Sequence, residues 1–292
     1  MRVVVRRHVK LRALTTFPAF VGVFDGAVPG AVLPQLEAEA LALWAESGGS
    51  RSSAKSFWVD ARSRPTSALG ALATAVVDAH FAGAARAAVR GAEVWVQLRD
   101  GSSPATRGLE FHFDKCERSL AERDDWRHPA LATATYLTDS GAPLVVFDTT
   151  SDGGGDDARP SPPRGWIVAP RRARHVAFAG DRLHGVPDEI ATDSERESDR
   201  LSILVNVWTD FKPLGLGPLP SFGGDAIDLA LDVDRERTRV WLPLERISPD
   251  SDTPLFALRE HREGDTGLMP TPLWRAYSRE AAAALELRYL GA

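Results

Sequence analysis

The chain has 292 residues, 43% of them hydrophobic and 26% charged, with 8 Trp, so it has apolar surface for a large core, and global disorder and collagen-like repeats are excluded. Its length allows one or two domains. A net charge of −5, with no uncharged apolar run approaching about 18 residues, supports neither a nucleic-acid footprint nor a membrane span.

The single cysteine, Cys116, excludes an internal disulfide and a cysteine-rich zinc site, and it fits a reducing compartment. The basic opening has no acid before Asp25 and suits a first strand as well as a transit peptide. It lacks the apolar centre of a secretory signal, and a cytoplasmic protein is expected.

Residues 20–30 read as a short strand and a turn. Leu33, Leu36, Ala40, Leu43 and Trp44 then recur at helical spacing after Pro29, which predicts an amphipathic helix over 31–47. Residues 56–61 read as a strand, and 66–81 as a second helix opened by a Thr or Ser cap. From Glu93 the period changes. Seven short β-rich runs follow, at 92–100, 109–114, 131–139, 142–150, 165–170, 174–180 and 200–208, separated by Gly, Pro, Asp and Ser clusters. That spacing predicts an antiparallel sandwich or open barrel. The polar stretches 151–163 and 187–199 read as loops, 238–247 as a strand and 278–290 as a last helix.

Three segments carry the chemistry. In FHFD (111–114) strand alternation puts His112 and Asp114 side by side, with Phe111 and Phe113 packed behind. A second histidine, His184, follows the run 174–180, where an antiparallel return brings it to the same barrel mouth. It is preferred over His175, which lies in a basic run. Two histidines and one carboxylate leave three coordination positions open, as non-haem Fe(II) requires when it must bind a bidentate cosubstrate and dioxygen together. In RLSILVNVW (200–208), alternation puts Arg200, Ser202, Leu204, Asn206 and Trp208 on one face and only apolar residues on the other. An arginine with a serine two residues on offers a planar fork and a hydroxyl to a carboxylate.

His112-x-Asp114, the distal His184 and Arg200-x-Ser202 resemble the motifs of the Fe(II)/2-oxoglutarate-dependent oxygenase superfamily. Residues 95–114 and 132–148 are similar to its prolyl-hydroxylase-like branch. The resemblance spans about 16–210 and is strongest at 93–208. It implies a double-stranded β-helix, a mainly β jelly-roll flanked by helices, as one domain: an N-terminal strand and helices over 1–90, the core over 91–212 and a C-terminal extension over 213–292. It also implies Fe(II) on His112, Asp114 and His184, and 2-oxoglutarate on Arg200 and Ser202 with the Tyr136 hydroxyl nearby. Oxidative decarboxylation to succinate and CO2, driven by dioxygen, would accompany hydroxylation of an unactivated C–H bond. The spacing from His184 to Arg200 exceeds the family's usual one, so 187–199 must loop out, and Arg99 stands where the branch often has tyrosine.

The substrate expected is a small molecule, amino acid or peptide. Trp95, Gln97, Arg99 and Trp208 are the candidate substrate contacts. Two other classes use the same residues: a cupin-like metal hydrolase or isomerase, which leaves Arg200 and Ser202 without a task, and a non-catalytic 2-oxoglutarate or ligand sensor.

Overall fold

The computed structural model describes residues 21–47, 55–101, 108–150, 165–186, 198–222, 227–233 and 287–290. The expected strand at 238–247, the loop at 151–163, the opening residues 1–20, and most of 187–199 and 278–290 lie outside them. No helix among the described residues is long and apolar enough to cross a membrane.

Strand β1 (Val21–Phe24) leads through a 3-10 turn (Gly30–Val32) into α1 (Leu33–Glu46), whose predicted stripe is realised: Leu33, Leu36, Ala40 and Leu43 are buried. After β2 (Phe57–Asp60) comes α2 (Ala68–His80), capped by Ser67, whose Oγ accepts from the Gly70 amide at 3.1 Å. The buried Glu39 of α1 joins the two helices: its carboxylate accepts from the Ala68 and Leu69 amides at 2.9 and 3.0 Å, an anion placed against donors with no partner inside their own helix. Two short helices, α3 (Gly83–Ala88) and α4 (Glu117–Arg123), carry no apolar stripe that periodicity could reveal.

The barrel is built from β3 (Gly91–Arg99), β4 (Leu109–His112), β5 (Leu131–Tyr136), β6 (Leu144–Thr150), β7 (Gly165–Val168), β8 (His175–Phe178), β9 (Arg182–Val186) and β10 (Arg200–Trp208). Its pairing is nested and antiparallel: β3 with β10, β4 with β9, β5 with β8 and β6 with β7. A chain folded back on itself in this way and rolled up forms two facing sheets, one containing the order β8-β5-β10-β3 and the other β7-β6-β9-β4. This is a double-stranded β-helix, and the strand order alone establishes it. On the outer side, Val94, Val96, Leu201, Ile203, Val205 and Val207 form one core with α1 and α2. The opposite face of β3 and β10 lines the barrel interior.

Two expectations are corrected. Eight strands build the barrel, not seven: RLHGV (182–186), read only as sequence following a strand, is β9, and it lacks the β-branched run that marks a strand. The expected helix at 278–290 ends instead in β12 (Leu287–Leu290), which pairs parallel to β7. Without it β7 would leave one row of backbone donors and acceptors unpaired at the sheet edge. The remaining short strand, β11 (Gly217–Pro218), extends the large sheet beside β2.

His175 is buried against α2 rather than facing the barrel. Its Nδ1 lies 2.9 Å from Thr135 Oγ1, its Nε2 lies 3.0 Å from His80 Nε2, and the two rings stack. Burial, with the neighbouring His80 second, pushes the His175 pKa well down. The unfolded chain therefore binds a proton at about pH 6.5 that the native protein refuses, so stability is complete above that pH and declines as pH falls toward the native value. Within this window the expected slope is about 1.4 kcal/mol per pH unit. Urea unfolding at pH 7.5, 6.5 and 5.5 checks it: His175→Gln should flatten the dependence, and an equal slope in both proteins would assign the effect to other groups.

Candidate metal centre and its two chambers

The β4–β9 pair sets His112 and His184 opposite one another as register partners. Gly185 allows this close approach: a Cβ there would lie 3.0 Å from the Leu109 carbonyl and from Phe111, a contact the neighbouring strand would have to yield to. The imidazole centroids are 4.4 Å apart. Asp114, two residues past His112, brings Oδ1 to 3.7 Å from His112 Nε2 and Oδ2 to 3.7 Å from His184 Nε2. One ligand atom from each of the three lies within 4.8 Å of the others. Phe111 is buried behind them, as expected, while Phe113 is half-buried against His128.

Neighbouring groups fix how these donors point. His184 Nδ1 lies 2.9 Å from the Arg182 carbonyl, which only accepts, so Nδ1 carries the proton and Nε2 presents its lone pair to the cluster. The Asn206 amide donates from Nδ2 to Asp114 Oδ2 at 3.1 Å, and His128 Nδ1 donates to the Asp114 carbonyl. Asn206 was legible in the sequence only as a residue on the polar face of β10. Its hold on Asp114 required the fold.

Two chambers open from the cluster, and His112, Asp114, Trp95 and Gln97 line both. The inner one, about 490 Å³ including space open to solvent, is walled by Leu144, Phe178, Val186 and Leu204, with Tyr136, Arg200, Ser202 and Thr133 among its polar groups. Ser202 is the register partner of Tyr136 across β5–β10 and sits opposite Gln97 across β3–β10. The outer chamber, about 970 Å³ to its open mouth, is lined by Trp44, Ser56, Glu93, Arg99, Lys115, Glu117 and Asn206.

The inner chamber's charge is unbalanced. Of the two most buried arginines among the described residues, Arg174 is matched by Asp25, with contacts of 2.6 and 3.1 Å that hold the Asp25 carboxyl below its ordinary pKa. Arg200 has no acid beside it among the described residues. One Nη donates to the Ala142 carbonyl at 2.7 Å, Nε has no partner, and burial lowers its pKa. Burial likewise raises the Tyr136 pKa, with Arg200 acting second and in the opposite sense, so the chamber presents a neutral hydroxyl beside a cation. A buried cation with an unused donor is expensive unless an anion joins it. Gly141, at φ +108°, rests on this arginine: a Cβ there would lie 2.5 Å from the Arg200 Cβ.

Of the candidate substrate contacts, Trp95, Gln97 and Arg99 line the outer chamber, and Trp208 is corrected. It is fully buried with Trp58 and Cys116 and lines neither chamber, because β2 and Phe211 cover the end of β10. Its indole N–H donates to Glu93 at 3.2 Å. Glu93 itself was missed. Burial, opposed by the Ser56 hydrogen bond, pushes its carboxyl up to about 7, and nothing in AEVWVQLRD marks it as more than a polar strand position.

The fold and this cluster define a jelly-roll protein with a two-histidine, one-carboxylate candidate metal centre at the meeting of two chambers. No family model and no curated protein matches the sequence. Among solved structures, the chain is similar to a Pseudomonas putida prolyl-4-hydroxylase, with 18% identity, 65% of this chain and 92% of that one covered, and a TM-score of 0.42. It is also similar to the non-haem alpha-ketoglutarate-dependent epimerase SnoN of nogalamycin biosynthesis, with 16% identity, 73% and 93% covered, and a TM-score of 0.42. A third is EctD from S. alaskensis with 2-oxoglutarate and 5-hydroxyectoine, with 18% identity, 72% and 82% covered, and a TM-score of 0.42.

Proposed function

We propose that the protein is an Fe(II)- and 2-oxoglutarate-dependent oxygenase that hydroxylates an unactivated C–H bond of a small molecule, amino acid or peptide. The observation that carries this reading is Arg200, a buried guanidinium with Nε unused and no acid beside it among the described residues, in a chamber that opens onto the His-Asp-His cluster.

The donor set fits iron. His112 and His184 offer neutral imidazole nitrogens and Asp114 a carboxylate oxygen, and three ligands leave room for more than one further group. Arg200 and Ser202 fit a carboxylate, with a fork and a hydroxyl on one strand face, and Tyr136 adds a neutral donor. Leu144, Phe178, Val186 and Leu204 make much of the inner chamber's wall apolar, which strengthens the contact with the cosubstrate's distal carboxylate. Iron and 2-oxoglutarate, when bound, supply the oxidising power for dioxygen chemistry, with decarboxylation to succinate and CO2. Asn206 and the Arg182 carbonyl keep the ligands aimed. The outer chamber, with Trp95, Gln97 and Arg99 on its wall, receives the primary substrate, so cosubstrate and substrate reach the metal from different sides.

Adding Fe(II) and then 2-oxoglutarate to the protein under anaerobic conditions is the test. A visible metal-to-ligand charge-transfer band is expected only when both are present. Well-folded, iron-loaded protein that gives no band would instead fit a metal hydrolase or isomerase working without cosubstrate.

A further inference from the structure

One acid of the outer chamber has no cation beside it among the described residues. Strand β3 sets Glu93, Trp95, Gln97 and Arg99 along its wall at alternate positions. Arg99 is six residues from Glu93, about 20 Å along a strand at ~3.3 Å per residue, too far to neutralise it. Lys115 engages Glu117 at 2.9 Å, and Asp114 belongs to the metal cluster. Among the described residues Glu93 hydrogen-bonds only neutral donors, the Trp208 indole and Ser56, and burial first, then the Asp114 and Glu117 charges, raises its pKa.

Its register partner Asn206 adds a second acceptor on the same face. The acceptor-only carboxylate of Asp114 fixes the amide with nitrogen toward the cluster, and the buried Oδ1 is left without a hydrogen-bond partner. Trp44 and Trp95 line the same chamber, and indole faces attract cations. A carboxylate, an unused carbonyl oxygen and two indoles are the elements of an ammonium site.

We propose that the outer chamber binds the primary substrate through a protonated amine seated at Glu93. That the amine belongs to the substrate of oxidation rests on the oxygenase reading, whereas amine binding itself requires neither iron nor 2-oxoglutarate.

The test uses the full-length, metal-free protein with two probes of matched shape, phenethylamine as its ammonium ion and neutral 2-phenylethanol. Saturation-transfer NMR and tryptophan fluorescence report binding. The ammonium should bind about tenfold tighter than the alcohol, and Glu93→Gln should bring the two affinities together. Equal affinities in the wild-type protein, or a preference that survives Glu93→Gln, would overturn the proposal. The wild-type comparison decides even if the variant fails to fold. The iron and 2-oxoglutarate band is read on the same preparation: amine preference without a band upholds the ammonium site and removes the oxygenase reading, and a band without amine preference does the reverse.

Discussion

Replacing Arg200 by alanine is expected to weaken 2-oxoglutarate binding about 30- to 5,000-fold while iron stays bound. The range corresponds to about 2–5 kcal/mol for removing one partner of a desolvated, charge-assisted contact. The upper part of the range is favoured by the chamber itself: Arg200 is buried and, among the described residues, has no neighbouring acid to complicate its loss. Ser202→Ala should cost less, about 1–2 kcal/mol, because the anion keeps its guanidinium. Arg200→Lys should recover only part of the loss, since an ammonium cannot reproduce the planar fork. Gly141→Ala supplies a variant that keeps the charge and disturbs its position, because the new methyl meets the Arg200 stem at 2.5 Å. Its affinity should fall between wild type and Arg200→Ala. Titrating 2-oxoglutarate into the four iron-loaded variants gives the ranking, and an unchanged affinity in Arg200→Ala would show that the inner chamber holds something other than this cosubstrate.

The parts of the fold that could be read from the sequence are those in which local pattern and tertiary environment agree. β10 is the clearest: its alternation separates an apolar face, which packs under α1 and α2, from a face that supplies Arg200, Ser202, Leu204 and Asn206 to the chambers. The stripe of α1 and the Ser67 cap of α2 follow the same logic. β9 escaped because its strand character comes from pairing with β4 and β6 on both sides, and His and Gly at its centre give no periodic signal. The position that breaks the pattern is also the one that contributes a cluster residue, a local inconsistency of the kind expected at functional sites.

Trp208 and Glu93 show the converse. Alternation places both side chains on the inner face correctly, but it cannot tell that β2 closes over the last residue of β10 while leaving Glu93 against a cavity. Which polar strand residue lacks a counter-charge is a property of three elements meeting, and no spacing encodes it. The same holds for the contrast between Arg174 and Arg200. Each stands among charged neighbours in the chain, and only the fold brings Asp25 to the first and, among the described residues, no acid to the second.

Changing His112, Asp114 or His184 to alanine is expected to abolish stoichiometric iron binding and, with it, succinate formation. In the proposed centre each would supply one of three ligands from the described residues, and the pair left behind would offer no closed site. Asp114→Ala removes in addition the acceptor that fixes Asn206, so its effect should reach the outer chamber as well. Asn206→Leu tests the level below the ligands: losing the group that orients a ligating carboxylate should lower iron affinity about 10- to 100-fold without eliminating it. His175 cannot substitute for His184, since Thr135 and His80 engage both its ring nitrogens on the helix-facing side of the large sheet. Iron content after anaerobic loading and desalting, measured alongside a thermal melt to confirm folding, gives the order expected: wild type, then Asn206→Leu, then the three ligand variants. Full iron occupancy in a folded His184→Ala protein would remove His184 from the centre, and the opposed geometry of β4 and β9 would then be ordinary sheet pairing.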